Sequence, residues 1–260
     1  MKLNFLLLTF LLLVACSTSP TGRKQLNLVG ESQMQQMGKD SFEKLKQQEK
    51  VSTNQAANTY VSCVSHRVLK AMGEKPSDWE VVVFEDKSPN AFALPGKKIG
   101  VHTGMIDLAQ NPDQLAAVIG HEIGHVLASH GNERVSQNIV AQGTMAAASL
   151  AIGQDTTKDQ LLIAALGVGA QVGVLLPFSR KHETEADLLG LKYMSKAGFN
   201  PQEAANLWVQ MKQKAGGSPP EFLSTHPSPD SRIKTLRKEA DKYRSQYKKN
   251  DQNTQCSKPS

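Results

Sequence analysis

The sequence His-Glu-Ile-Gly-His at residues 121–125 constrains the fold of this chain more than any other feature. Pro112 is expected to open a helix that continues to about His130, because proline is favoured in the first helical turn. His121 and His125 lie four residues apart and therefore project from one face of that helix. Two imidazoles at this spacing can share one tetrahedral zinc ion, which needs a third protein ligand. The pattern thus requires a fold in which another element approaches this helix.

Glu122 lies on the neighbouring side of the same helix, within reach of a zinc-bound water. It can take a proton from that water and later pass it to a leaving amine. A third histidine six residues after His125 would complete one common zinc layout, but position 131 is glycine. His130 is displaced by one residue and is expected to end the helix rather than to bind metal. The third ligand is therefore expected from a later segment.

Residues 182–187, His-Glu-Thr-Glu-Ala-Asp, offer carboxylates for this role. Glu183 and Asp187 are four residues apart and share one face of a predicted helix. One can bind the metal, while the other accepts the second N–H of a ligating histidine and so orients it. Glu185 and His182 are expected on other faces. The competing interpretation is a solvated, acidic start of a helix.

The two motifs, His-Glu-x-x-His and Glu-x-x-Ala-Asp about sixty residues later, resemble those of a known zinc metallopeptidase family. Its members include the CAAX prenyl endopeptidases, the membrane protease HtpX and the mitochondrial Oma-type proteases, and the soluble bacterial lipoprotein branch is the most similar in layout. The similarity covers roughly residues 75–240. It implies that Glu122 is the general base and that Asp187 orients a ligand. It also implies one Zn²⁺ per chain, bound by His121, His125 and Glu183.

The remaining pattern indicates an α+β, mainly helical fold, which the resemblance identifies as a zincin-type, gluzincin-like domain. Three short strands are expected to form a small β-meander next to the His-Glu-x-x-His helix. A single domain is expected over residues 31–247, followed by a tail at 248–260. The apolar segment 160–176 is interpreted as a buried helix, with a hydrophobic lid as the alternative. The predicted strands are residues 79–85, 91–94 and 99–102, and the other predicted helices are 31–50, 54–72, 133–151, 180–197, 201–215 and 229–247.

The stretch 90–96, Asn-Ala-Phe-Ala-Leu-Pro-Gly, resembles the strand that lies beside the cleft in this family. An extended substrate would pair its backbone with this strand, which predicts Asn90, Ala91, Phe92 and Ala93 as substrate-binding residues. The alternative for Phe92 is ordinary core packing, and both can hold because strand faces alternate.

His226 lies in a Ser-Thr-His-Pro turn before the last predicted helix, with Arg232 six residues later. A histidine in a loop is more often a surface or capping residue. The resemblance implies instead that it lies near the active site, where two roles are possible. It would either stabilise an oxyanion or occupy the fourth zinc position and hold the protein latent.

The first fifteen residues have a short positive start and an apolar run that is typical of a signal peptide. Small residues before Cys16 resemble a bacterial lipobox, which predicts cleavage before this cysteine and its lipidation. Residues 16–30 are then a lipidated N-terminus and linker. Ser17 favours sorting to the outer membrane, so the protein is expected on the periplasmic side of the cell envelope. The alternative is an ordinary signal peptide with a chance cysteine.

The other two cysteines, Cys63 and Cys256, are expected to form a disulfide in that oxidising compartment. Such a bond would attach the C-terminal tail to an early helix. The alternative is two free thiols.

These features predict a zinc-dependent endopeptidase that hydrolyses unfolded or misfolded envelope proteins. A zinc-bearing chaperone or assembly factor on the same scaffold is the first alternative, and a structural lipoprotein with an accidental motif is the second. The net charge is +6, from 30 basic and 24 acidic residues. The basic side chains of the last helix carry no interleaved aromatics, so nucleic acid is not expected as a partner.

Overall fold

The structure is a computed structural model that describes residues 16–151, 178–214, 222, 225–226, 230–250 and 256–259. Within these residues the chain is mainly helical with two small sheets, in agreement with the predicted class. The strands are β1 (Cys16–Thr18), β2 (Lys24–Leu26), β3 (Glu80–Phe84), β4 (Ala91–Leu94) and β5 (Lys98–His102). The helices are α1 (Glu31–Gln48), α2 (Gln55–Met72), α3 (Thr103–Leu108), α4 (Pro112–Leu127), α5 (His130–Ala151), α6 (Arg180–Lys196), α7 (Gln202–Lys214), α8 (Asp230–Lys242) and α9 (Arg244–Asn250).

Helix α4 is the centre of the fold and carries the His-Glu-x-x-His motif. Pro112 occupies its first turn, and the side chain of Asn111 accepts a hydrogen bond from the backbone N–H of Gln114, which caps the helix. Every residue from 114 to 125 is buried, so the helix is covered on all sides. It ends at Leu127 rather than at His130, because Ser129 adopts a left-handed conformation with φ of 52°. His130 begins α5 instead.

Helix α6 crosses α4 at very short range, and glycines make this approach possible. A Cβ on Gly190 would lie 3.0 Å from the backbone nitrogen of His121. A Cβ on Gly124 would likewise lie 3.0 Å from the carbonyl oxygen of Ala186. The contact between the two backbones brings the carboxylates in the first turns of α6 directly to the histidines of α4.

The three-stranded sheet contains the predicted strands, but its order is β3-β5-β4 and it is not a β-meander. Strands β4 and β5 form an antiparallel hairpin through the left-handed residues Gly96 and Lys97. Strand β3 pairs with β5 in parallel instead of with β4. Residues 85–90 therefore carry the chain past the position of β5, and β4 becomes an edge strand of the described sheet. This edge lies beside α4.

The segment 16–30, expected to be a linker, folds onto the domain. Strands β1 and β2 pair as an antiparallel hairpin. The Gln25 side chain is buried and donates a hydrogen bond to the carbonyl oxygen of Ala128, at the end of α4. The backbone N–H of Leu28 donates to the hydroxyl of Ser136 over 2.8 Å. Polar side chains made this segment look solvated, but their partners are groups of the domain.

Helix α2 packs its apolar face against α4 and attaches the C-terminal tail. Val61, Val64 and Val68 are fully buried, and each buried side chain of this size contributes about 1.5–3 kcal/mol. Cys63 and Cys256 form a disulfide with a Cα–Cα distance of 5.7 Å.

The segment 160–176 lies outside the described residues. Over the part of the chain that is described, no helix combines the length and the hydropathy of a membrane span.

Candidate metal centre

Three side chains from α4 and α6 meet in the interior of the protein. The Nε2 atoms of His121 and His125 lie 3.0 Å apart. The Oε1 atom of Glu183 lies 3.4 Å from His125 Nε2, and its Oε2 atom lies 3.6 Å from His121 Nε2. All three side chains are buried. The pair of histidines and the later carboxylate predicted from the sequence are thus brought to one point.

This arrangement fits a tetrahedral zinc ion. Bonds of about 2.0–2.1 Å at tetrahedral angles place neighbouring ligand atoms about 3.3–3.4 Å apart. The distance of 3.0 Å between the two Nε2 atoms, and the distances of 3.4 and 3.6 Å from each of them to one or the other carboxylate oxygen of Glu183, scatter around that value. Glu122 adds a second observation, because its Oε1 atom is buried and has no hydrogen-bond partner among the described residues. A buried carboxylate oxygen without a partner is costly unless a water or an ion satisfies it.

Glu122 lies beside this cluster with one oxygen turned toward it. Its Oε1 atom is 3.5 Å from Nε2 of His226. Burial raises the pKa of the Glu122 carboxyl, and the nearby histidines oppose that effect. A raised pKa makes this carboxylate a better proton acceptor.

His121 is held from behind by a carboxylate and an arginine. Asp187 Oδ1 lies 2.9 Å from His121 Nδ1. The guanidinium of Arg232 donates to both oxygens of Asp187, each over 2.7 Å, and its central carbon lies over the Trp208 ring, 3.8 Å from the ring centroid. Burial alone would raise the pKa of Asp187, but Arg232 holds it below its usual range. An ionised Asp187 can accept the N–H of His121 and leave Nε2 free to bind metal.

His226 closes the fourth side of the cluster. Its Nδ1 atom lies 3.0 Å from Glu183 Oε1 and 3.3 Å from His121 Nε2. The ring is stacked between Phe178 and Phe222, with centroid distances of 5.1 and 4.5 Å. The ligand atoms of the four residues His121, His125, Glu183 and His226 all lie within 4.8 Å of one another. His226 is therefore a buried member of the site and not a surface residue.

The charge of Glu183 is stabilised by its neighbours. Burial would raise the pKa of this carboxyl. Hydrogen bonds and charge interactions with His125, His226 and His121 outweigh burial and hold the pKa well below its usual range. The ionised carboxylate is the form that a divalent metal requires.

A groove of about 550 Å³ leads to this cluster along β4. The lining includes His125, polar residues such as Glu74 and Lys97, and a larger apolar part to which Met34, Ala93, Leu94, Val135 and Phe178 belong. Of the four residues predicted to bind substrate, Ala93 is the one that lines the groove. Phe92 stacks on Phe84 at 6.0 Å and belongs to an aromatic cluster, as its alternative interpretation stated. Ala91 is buried, and the carbonyl oxygen of Asn90 accepts a hydrogen bond from the backbone N–H of His102.

The sequence did not predict the buried residues that contact the ligands from behind or lie next to those contacts: His130, His182, Glu185 and Arg232. His130 was expected only to end a helix, yet it is fully buried and its Nδ1 lies 2.9 Å from His125 Nδ1. Glu185 and His182 do lie on other faces of α6, but those faces are buried too. The sequence places Arg232 six residues after His226 but does not indicate its contact with Asp187. The position of His130, five residues after His125, is the sequence signal that could have indicated its contact with that ligand.

A helix with His-Glu-x-x-His, crossed by a second helix that supplies a carboxylate, defines a metal-dependent peptidase of the zincin type. The chain belongs to Peptidase family M48, whose family model matches residues 55–240.

The chain is similar to the mitochondrial metalloendopeptidase OMA1 of Schizosaccharomyces pombe, with 39% identity over 181 residues, 68% of this chain and 51% of that protein. The corresponding protein of Saccharomyces cerevisiae is 35% identical over 181 residues, 66% of this chain and 50% of that protein. The beta-barrel assembly-enhancing protease of Escherichia coli (strain K12) is 27% identical over 192 residues, 71% of this chain and 39% of that protein. The chain thus spans about half the length, or less, of these relatives.

Proposed function

We propose that this protein is a zinc-dependent endopeptidase. The observation that carries the proposal is the meeting of His121, His125 and Glu183 within 3.0–3.6 Å of one another, beside the unsatisfied oxygen of Glu122. Membership of a peptidase family supports the same activity.

In the proposed mechanism each residue of the chain has one task. Zinc, when bound, supplies Lewis acidity and brings the pKa of its water toward 7. Glu122 accepts the proton of the attacking water and then donates it to the amine of the cleaved peptide. Asp187 holds His121 in the orientation and tautomer that bind metal. The backbone of an extended substrate pairs with the free edge of β4 and passes through the apolar groove to the ligands.

His226 occupies the fourth position of the cluster in the resting protein and must leave before a substrate carbonyl can approach. This part of the proposal is supported by the distance of 3.0 Å between His226 Nδ1 and Glu183 Oε1. The stacking of the ring between Phe178 and Phe222 gives the resting position additional contacts. The alternative role, stabilisation of an oxyanion, predicts the opposite effect of removing the side chain.

The substrates are proposed to be unfolded or misfolded proteins of the cell envelope, including outer-membrane proteins. A strand edge recognises any extended backbone, and an apolar groove accepts side chains that folded proteins keep buried. The name of the Escherichia coli relative, beta-barrel assembly-enhancing protease, refers to the assembly of β-barrels. Attachment to the membrane through a lipid on Cys16, after removal of residues 1–15, completes the proposed location.

The test is zinc content and cleavage of an unfolded protein such as casein by the purified chain. Glu122→Gln is expected to retain one zinc per chain and to lose about 10²–10⁴-fold in cleavage rate, because only the general base is removed. Glu43→Gln, the same change on an exposed helix face, is the matched control. If the purified wild-type chain contains no stoichiometric zinc, the proposed zinc-dependent activity is refuted. If Glu122→Gln still prevents aggregation of unfolded clients and restores function in cells, the chaperone alternative replaces it.

A further inference from the structure

A row of buried polar side chains continues from the metal cluster to the N-terminal hairpin, and the mechanism above does not use it. His130 Nδ1 lies 2.9 Å from Nδ1 of His125, and His130 Nε2 lies 3.1 Å from Oε2 of Glu185. The same carboxylate accepts hydrogen bonds from Arg23 Nε over 2.8 Å and from the Thr21 hydroxyl over 2.5 Å. Arg23 and Thr21 belong to the loop between β1 and β2.

This row fixes where the protons must be. His125 can bind a metal through Nε2 only if its single proton is on Nδ1. That proton is then donated to Nδ1 of a neutral His130, whose own proton is on Nε2 and is donated to Glu185. If His125 carried its proton on Nε2, a neutral His130 could not satisfy both His125 and Glu185. All contacts in the row are therefore satisfied together when His125 is in its metal-binding tautomer.

The other histidine ligand has the same kind of support. His121 is backed by Asp187, and Asp187 is paired with Arg232. His125 is backed by Glu185, and Glu185 is paired with Arg23, with one additional imidazole between ligand and carboxylate. Each ligand thus has a carboxylate that accepts its proton through hydrogen bonds and an arginine that fixes that carboxylate.

We propose that His130, Glu185 and Arg23 are positioning residues that hold His125 in the tautomer and orientation required for metal binding. The N-terminal hairpin, which was expected to be a linker, is on this proposal part of the metal centre. The proposal rests on the proposed function, because it takes His121, His125 and Glu183 as the metal ligands.

The protein contains a matched control for this row. Glu133 also accepts from a buried histidine, with Oε2 3.1 Å from Nε2 of His182, and it also pairs with Arg23, over 2.7 Å. The His182 ring stacks on His130 at 4.4 Å. Glu133 and Glu185 therefore share the same arginine and the same kind of partner. Only the contacts of Glu185 continue through His130 to a ligand.

The experiment measures the zinc affinity of the full chain by competition with a chromophoric chelator, and the unfolding of each zinc-free variant by urea. Glu185→Gln is expected to weaken zinc binding about 10–100-fold, the usual effect of losing such a partner. Glu133→Gln leaves the contacts of His130 and Glu185 in place and weakens the hold on Arg23, so it is expected to weaken zinc binding by at most a few-fold, less than Glu185→Gln. Thr21→Val, which removes one donor to Glu185 at an exposed position, is expected to weaken binding a few-fold.

Three results would overturn the inference. If Glu185→Gln binds zinc with wild-type affinity, the row does not support metal binding. If Glu185→Gln and Glu133→Gln lose zinc affinity equally, the effect comes from general destabilisation. If Glu185→Gln does not fold, unchanged affinity in Thr21→Val refutes the inference instead. A wild-type chain that binds no zinc contradicts the proposed function, whereas a zinc-binding wild type with an unaffected Glu185→Gln contradicts this inference alone.

Discussion

Replacing Gly190 with alanine tests whether the short approach of α6 to α4 builds the metal centre. The new Cβ would lie 3.0 Å from the backbone nitrogen of His121 and 3.3 Å from its Cα. Ordinary contacts of this kind are about 3.5–4.0 Å, so the helices must separate by about half an ångström. Overpacking against backbone costs about 1–3 kcal/mol, and the better helix propensity of alanine returns about 1 kcal/mol. The expected net loss in free energy of unfolding is therefore about 0–2 kcal/mol.

Gly143→Ala is the matched control, because a Cβ on this exposed residue of α5 meets no described atom within 4 Å. It is expected to stabilise the chain by up to about 1 kcal/mol. Urea unfolding of the zinc-free proteins gives both values, with unchanged m-values expected. Separation of the helices also moves Glu183 away from the histidines, so Gly190→Ala is expected to bind zinc more weakly, unlike Gly143→Ala. Equal stability changes and equal zinc affinities in the two variants would refute the packing argument.

Three further predictions concern His226, the disulfide and acid stability. His226→Ala is expected to raise the casein cleavage rate, by about tenfold if the closed form exceeds the open form tenfold, whereas a 10²–10³-fold decrease would assign an oxyanion role. Replacing Cys63 and Cys256 by serine opens a loop of 193 residues and is expected to cost about 2–5 kcal/mol, measured by urea unfolding with and without reductant. Burial lowers the pKa of His130 to about 4, so the zinc-free protein should lose stability as the pH falls from about 6.5 to about 4. In that interval the unfolded chain binds a proton that the folded chain does not, and His130→Gln should reduce the slope by at most about 1.4 kcal/mol per pH unit.

Local rules predicted the elements of this site well. Proline at position 112 predicted the start of α4, and it acts only on neighbouring residues. Glu183 and Asp187 are four residues apart, and helix geometry alone therefore places both carboxylates on the face that meets the histidines. Such rules describe how residues on one helix lie relative to one another.

The errors arose where the partner lies far away in the sequence. At the end of α4, where Ser129 turns left-handed, the carbonyl oxygen of Ala128 accepts a hydrogen bond from Gln25, which lies 103 positions earlier. Periodicity correctly separated Glu185 from Glu183, but it could not indicate that the hairpin and α5 cover the second face as well. The sheet order depends on the path of residues 85–90, which contain no signal for the strand that β3 will select.

Several of these long-range contacts join the N-terminal hairpin to the helices that carry the metal cluster or cover it. Arg23 pairs with carboxylates of both α5 and α6, and Gln25 binds the end of α4. An arginine between two buried carboxylates neutralises charge that burial would otherwise make costly. Arg23 therefore supplies one positive charge to two carboxylates that also contact the buried rings of His130 and His182. Because Cys16 begins the same hairpin, the proposed lipid on this residue would lie seven residues before Arg23, the arginine proposed to support the metal ligand His125.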